Sequence, residues 1–174
     1  VVSENGGGDI NHPQLWVYAP PFAAIPGICP GSNINFSSDV SGSTYQWQVD
    51  IGNAVFTNLT NTVPYSTVST KTLNLTGPAS SLYGYKYRCV VNGNIYSNTF
   101  TLKFSNRWTG TSSSAWETAG NWSCGSIPDA NTDVYINSGT PNAPMLNSTR
   151  SVRSIQNGSI ITIADSQQLN ITGH

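Results

Sequence analysis

Few side chains in this chain are placed to do chemistry. His12 and His174 stand at the two ends in polar surroundings, and neither sits where a base could activate a nucleophile. Cys124 has no His near it in sequence to generate a thiolate, which a nucleophilic cysteine requires. Metal-ligand spacings such as Cys-x-x-Cys, His-x-x-x-His or Asp-x-Asp-x-Asp-Gly do not occur. The eight acidic residues are scattered, and Glu117 is the only Glu beyond the N-terminal stretch. No pair of carboxylates therefore reads as a glycosidase acid and base. Two groupings stay open. Asp129 and Asp133 share a turn, a spacing that serves either Ca²⁺ with backbone carbonyls or local capping of the turn. Trp108, Trp116 and Trp122 would stack on sugar rings if exposed, and would fill a core if buried. The expectation is a protein with no catalytic residues, no metal and no cofactor.

Elements that could position these residues are short strands. No window carries a sustained apolar face at helical spacing. Gly, Pro and Asn interrupt the chain every few residues, and alternating runs such as Tyr45-Gln46-Trp47-Gln48-Val49 and Phe100-Thr101-Leu102-Lys103-Phe104 fill the gaps. That pattern argues for an all-β fold built from sandwich, barrel or solenoid units. Charged residues make up 9% of the 174 residues, against an average of about 25%. Asn, Ser and Thr supply about a third of the chain and provide neutral hydrogen-bonding groups for turns and strand faces. Five Trp, eight Tyr and five Phe with a net charge of -1 argue against disorder. The seven basic residues, spread from Lys71 to Arg153, form no stripe for nucleic acid. No apolar run is long enough to insert in a membrane. Val1 opens in a Gly-rich polar stretch and His174 closes an unfinished strand pattern, so the chain reads as a piece of a longer one.

Three parts follow along the sequence. Residues 1–27 form a lead-in, with a candidate strand at Leu15-Trp16-Val17-Tyr18 between Gly6-Gly7-Gly8 and the stiffening Pro20-Pro21 and Pro26-Gly27. Residues 28–105 read as one sandwich. Trp47 is the size of residue that fills the space between two sheets. Tyr87 precedes Cys89 by two positions, Asn92-Gly93-Asn94 makes a tight hairpin, and Ser97 to Phe104 supplies the last strand. Cys29-Pro30-Gly31, Tyr45-Gln46-Trp47-Gln48 and Tyr87-Arg88-Cys89 occur in the order of an immunoglobulin-type sandwich, in which that Tyr makes the tyrosine corner. Together they resemble the immunoglobulin-like repeats of large secreted surface proteins of the Bacteroidota. Residues 106–174 carry Trp108-Thr109-Gly110, Trp116, Asn121-Trp122-Ser123 and Ile127-Pro128-Asp129, followed by apolar pairs about eight residues apart. This stretch resembles the Trp-rich opening segment of β-solenoid-like repeats in the same proteins, where the Trp cluster caps the first coil and short strands follow as rungs. The residues alone leave a small sandwich or a partly built solenoid open.

The resemblance carries expectations. It implies a disulfide between Cys29 and Cys89, which lie about 60 residues apart, even though Phe36 or Ser38 occupies the usual inward cysteine position on the strand facing Cys89. It implies that Val152 stands where a partner for Cys124 would be, leaving Cys124 a free buried thiol. It implies a non-catalytic structural or adhesive module, secreted or on the outer surface of a Gram-negative bacterium. Its partners would be other domains of the same long chain, and surface glycans or host and substratum proteins. The alternative is a carbohydrate-binding accessory module of a secreted polysaccharide-degrading enzyme, with Trp108, Trp116 and Trp122 as the sugar-stacking aromatics.

Overall fold

A computed structural model describes residues 28–173. The lead-in at 1–27, its candidate strand and both histidines lie outside the described residues. The fold is all-β, as expected: the described residues contain strands and two single 3-10 turns, at Ser80–Leu82 and Ala119–Asn121, and no α-helix.

The first unit packs two antiparallel sheets face to face. Its strands are β1 (Ile34–Ser37), β2 (Tyr45–Asp50), β3 (Thr57–Asn58), β4 (Tyr65–Ser66), β5 (Thr72–Leu75), β6 (Lys86–Val91), β7 (Ile95–Tyr96) and β8 (Phe100–Thr101). One sheet runs β1-β5-β4; the other runs β3-β2-β6-β7, with β8 also paired to β6. Period-two alternation sorts the side chains. On β6, Tyr87, Cys89 and Val91 point inward and are wholly buried, and Trp47 of β2 sits in register opposite Cys89. Phe36 comes from the facing sheet and stacks on Tyr87 with ring centroids 5.3 Å apart. The Tyr87 hydroxyl meets the Tyr65 hydroxyl of the facing sheet at 3.3 Å, so its hydrogen bond joins the two sheets where a tyrosine corner would turn to backbone. Positive φ at Asn92 and Gly93 makes the β6–β7 hairpin as the sequence requires. The expected last strand is broken. The Ser97 hydroxyl, not a backbone carbonyl, accepts the Cys89 N–H at 2.8 Å, and the Asn98 N–H turns to Asp39 at 2.9 Å. Within Ser97 to Phe104 only β8 and the bridge at Phe104 remain.

The second unit is a parallel coil. After β9 (Ser105–Arg107) come β10 (Asp133–Ile136), β11 (Met145–Leu146) and β12 (Arg150–Val152), then β13 (Ser154–Asn157), β14 (Thr162–Ile163) and β15 (Leu169–Ile171). β13 lies parallel on β10, β14 on β11 and β15 on β12, and β9 flanks β10 on its other side. Each three-sided turn of chain thus returns one strand over, about 20 residues later. Hairpins pair strands antiparallel, so this all-parallel pairing resolves the second unit as a coil rather than a small sandwich. The two units have separate cores: one spans Ile34 to Phe104, the other Trp108 to Val152.

Stacked columns fill the coil. Leu146 and Ile163 share one column in register, as do Val152 and Ile171. Leu146 and Val152 are wholly buried, whereas Ile163 and Ile171 are 44% and 48% exposed, because among the described residues rung β13–β15 has a neighbouring rung on one side only. Equal truncations should therefore cost unequally. Leu146→Ala is expected to lower unfolding free energy by about 2–5 kcal/mol, and Ile163→Ala by under about 1 kcal/mol. Denaturant unfolding of the two variants reads the difference; equal losses would contradict the one-sided rung.

Candidate functional site

Chemistry-bearing side chains converge where the sandwich meets the coil, around the segment that leads from Phe104 into β9. Ile28 bridges to Phe104 in parallel, and the Ser105 N–H donates to the Ile28 carbonyl at 3.1 Å. The returning Trp-rich loop lies on the same segment: the Ser123 N–H donates to the Arg107 carbonyl at 2.8 Å. Asn106 is buried between them, and its amide oxygen accepts the Cys124 N–H at 3.1 Å while its amide nitrogen donates to the Ser126 carbonyl at 2.7 Å. Cys29, next to Ile28, and Cys124 thereby face each other across Ser105.

They form the disulfide, Cys29–Cys124, with Cα atoms 5.5 Å apart. This corrects the Cys29–Cys89 pairing and the free Cys124 that the resemblance implied. Cys89 is the free thiol, wholly buried in the sandwich core opposite Trp47. The reason is positional. Cys29 precedes β1 and lies at the coil end of the sandwich, whereas Cys89 points into the middle, where Phe36 occupies the inward position of the facing sheet. Burial pushes the Cys89 thiol above the usual cysteine range.

Asp129 and Asp133 form the polar half of the joint. The 3-10 turn at Ser80–Leu82 presents Ser80 and Tyr83 to the coil. The Ser80 hydroxyl donates to Asp129 Oδ2 at 2.6 Å, and Asp129 Oδ1 accepts from the Asn131 N–H and the Thr132 hydroxyl. The Tyr83 hydroxyl donates to Asp133 Oδ2 at 2.7 Å. Asp133 Oδ1 accepts from Arg153 Nη1 at 2.9 Å and from the Ser154 hydroxyl. The Arg153 guanidinium closes the arrangement, 4.0 Å above the Tyr83 ring. Both carboxylates thus face hydroxyls, N–H groups and a cation. Among the described residues no group of three His, Cys, Asp or Glu side chains gathers to hold a metal ion, and turn capping accounts for Asp129. Burial raises the Asp133 carboxyl, but hydrogen bonds from Ser154, Tyr83 and Arg153 outweigh it and hold the group below the usual aspartate range. Asp129 is held low in the same way by Ser80 and Thr132. Burial, then the bond to Asp133, pushes the Tyr83 phenol up.

The three tryptophans are core residues. Trp108, Trp116 and Trp122 are 1%, 0% and 3% exposed. Trp122 meets Trp108 and Trp116 edge-on, at centroid distances of 5.0 and 4.6 Å. Trp108 Nε1 donates to the Asn142 carbonyl and Trp122 Nε1 to the Trp116 carbonyl, each at 2.8 Å. Rings this covered offer no face to a sugar, which removes them as stacking aromatics. Asn121 ties their loop together: its amide donates to Ser113 and Ala115 and accepts from the N–H groups of Ser112 and Ser113. Gly110 is required here, since its φ is +60° and a Cβ would run into the Asn142 carbonyl. Glu117 accepts from the Asn147 and Ser148 N–H groups and the Ser148 hydroxyl, and so fastens the tryptophan loop to the β11–β12 turn.

Residues 107–174 match the model of a family described as a domain of unknown function, DUF8693. The match covers the tryptophan cap and the coil and leaves out the sandwich. No curated protein and no solved structure matches the chain.

Sequence reasoning picked out Asp129, Asp133 and the cysteines but not Ser80, Tyr83 or Arg153, their partners across the joint. Tyr83 and Asp133 stand 50 residues apart, and no local pattern links them. Outside the joint, Arg88 lies between the rings of Phe56 and Tyr96, at 4.0 and 4.1 Å, on the outer face of the larger sheet.

The depressed carboxyls fix a pH dependence. Their folded values lie below the ordinary aspartate value of 3.8, so their contribution is complete above it and is lost as pH falls through 3.8 and below. Asp133→Asn is expected to lower stability by about 1–3 kcal/mol at pH 7, and to lose less than the parent protein between pH 5 and pH 2.5. Urea unfolding across that range checks it; parallel curves for the two proteins would contradict the role of Asp133.

Proposed function

We propose that the chain is a non-catalytic structural and adhesive module of a secreted or cell-surface bacterial protein, in which the sandwich and the coil act as one stiff unit. The observation that carries this reading is the joint itself. One disulfide and two carboxylate clusters tie the units together, and Asp129, Asp133, Tyr83 and Arg153 are all engaged in those clusters. A disulfide that closes a separation of 95 residues belongs to an oxidising compartment, which supports an extracellular setting. An outer-surface location on a Gram-negative bacterium, and glycan or protein partners, rest on the resemblance of the sandwich and tryptophan motifs.

The carbohydrate-binding alternative has lost its three candidate aromatics to the coil core. One experiment tests both readings. The purified chain is incubated with a panel of polysaccharides and extracellular proteins, while product release and tryptophan emission are followed. The module reading expects no new reducing ends or peptides, and blue-shifted emission that added glycans leave unchanged. Turnover would replace it with an enzyme. A saturable glycan-dependent emission shift would restore the carbohydrate-binding reading.

A further inference from the structure

The disulfide does more than hold the joint: it decides which part of the chain carries tension. Cys29 precedes every described strand of the sandwich, and Cys124 follows both the sandwich and the tryptophans of the loop. The covalent loop between them therefore encloses β1 to β9 together with Trp108, Trp116 and Trp122. A pull applied between the two ends of the chain passes along the backbone to Cys29, crosses the two sulfurs to Cys124, and continues through residues 125–173. The enclosed backbone is not on that path.

We propose that Cys29–Cys124 is a tension bypass that keeps the sandwich folded while the coil yields. This rests on the reading of the chain as a structural and adhesive surface module, stiff at rest, and adds that such a module takes load through its two ends. The coil lies in the path: β10 to β15 fall after Cys124. Its rungs are held by strands of two to four residues. The sandwich keeps its own core from Ile34 to Phe104, which draws on no residue of the coil. Pulling out residues 125–173 releases about 170 Å of extended chain, and opening the loop of 95 residues would add about 330 Å more. The device thus caps the extension and leaves the outer face of the sandwich, with Arg88, Phe56 and Tyr96, presented under load.

The sandwich contains its own reporter. Cys89 is the free cysteine and is wholly buried in that core, so a maleimide reaches it only when the sandwich opens. The full chain is stretched between handles at its two ends in a single-molecule instrument, in the presence of a fluorescent maleimide. The oxidised chain should extend by the coil alone and leave Cys89 unlabelled. The Cys29→Ser/Cys124→Ser double variant should extend by about 330 Å more and become labelled at Cys89. Labelling of Cys89 in the oxidised chain at full coil extension would overturn the proposal, whether or not the double variant folds. Hydrolysis or glycan binding in the assays above would overturn the module reading and leave this outcome unchanged, so the two can fail separately.

Discussion

The structure depends on what is packed against the short segment from Phe104 to Arg107. It is the last piece of the sandwich core and the first strand of the coil at once. Ile28 pairs on it before the sandwich begins, and β10 pairs on it where the coil begins. The tryptophan loop returns to it through Ser123 and Cys124. Stretches from before and after the sandwich therefore meet on one strand, and the two cysteines are brought to bonding distance as a consequence. On a chain-entropy account, closing a loop of this length stabilises the fold by about 4–5 kcal/mol, comparable to the net stability of a small domain.

Low charge dictates how the remaining polar groups are used. With 9% charged residues, the fold relies on neutral amides and hydroxyls to satisfy buried backbone. Asn106 and Asn121 are both buried, and each uses donors and acceptors together to hold loops that have no strand partner. Two ion pairs lie at seams: Asp133 with Arg153 at the joint, and Glu117 beside Arg150 between the tryptophan loop and the coil. A buried polar group without a partner is costly, so Asp129 and Asp133, whose partners Ser80 and Tyr83 belong to the sandwich, favour one arrangement of the two units.

Much of the fold was legible in the sequence because it is encoded locally. Alternation placed Trp47, Tyr87 and Cys89 inward and Asn92-Gly93 marked the hairpin, whereas the apolar pairs about eight residues apart, expected as successive rungs, are sides of a turn whose rungs repeat only when β13, β14 and β15 stack on β10, β11 and β12. What was not legible is encoded across units. The cysteine pairing followed the sandwich resemblance and missed Cys124, because nothing near Cys29 in sequence says that the coil folds back beside it. Cys parity left one thiol over but could not say which. The tryptophans carried two readings that differ only in exposure, and exposure is settled by the rung they cover. Asp129 and Asp133 kept a cation reading open beside turn capping because their donors Ser80, Tyr83 and Arg153 lie up to 50 residues away.

The central claim is that a disulfide joins the two units rather than bracing the sandwich from within. Peptide mapping by mass spectrometry, on protein alkylated and digested without reduction, tests it most directly. The account predicts that the peptide containing Cys29 is found linked to the peptide containing Cys124, while Cys89 is alkylated only after denaturation. A Cys29–Cys89 link with Cys124 alkylated would contradict it.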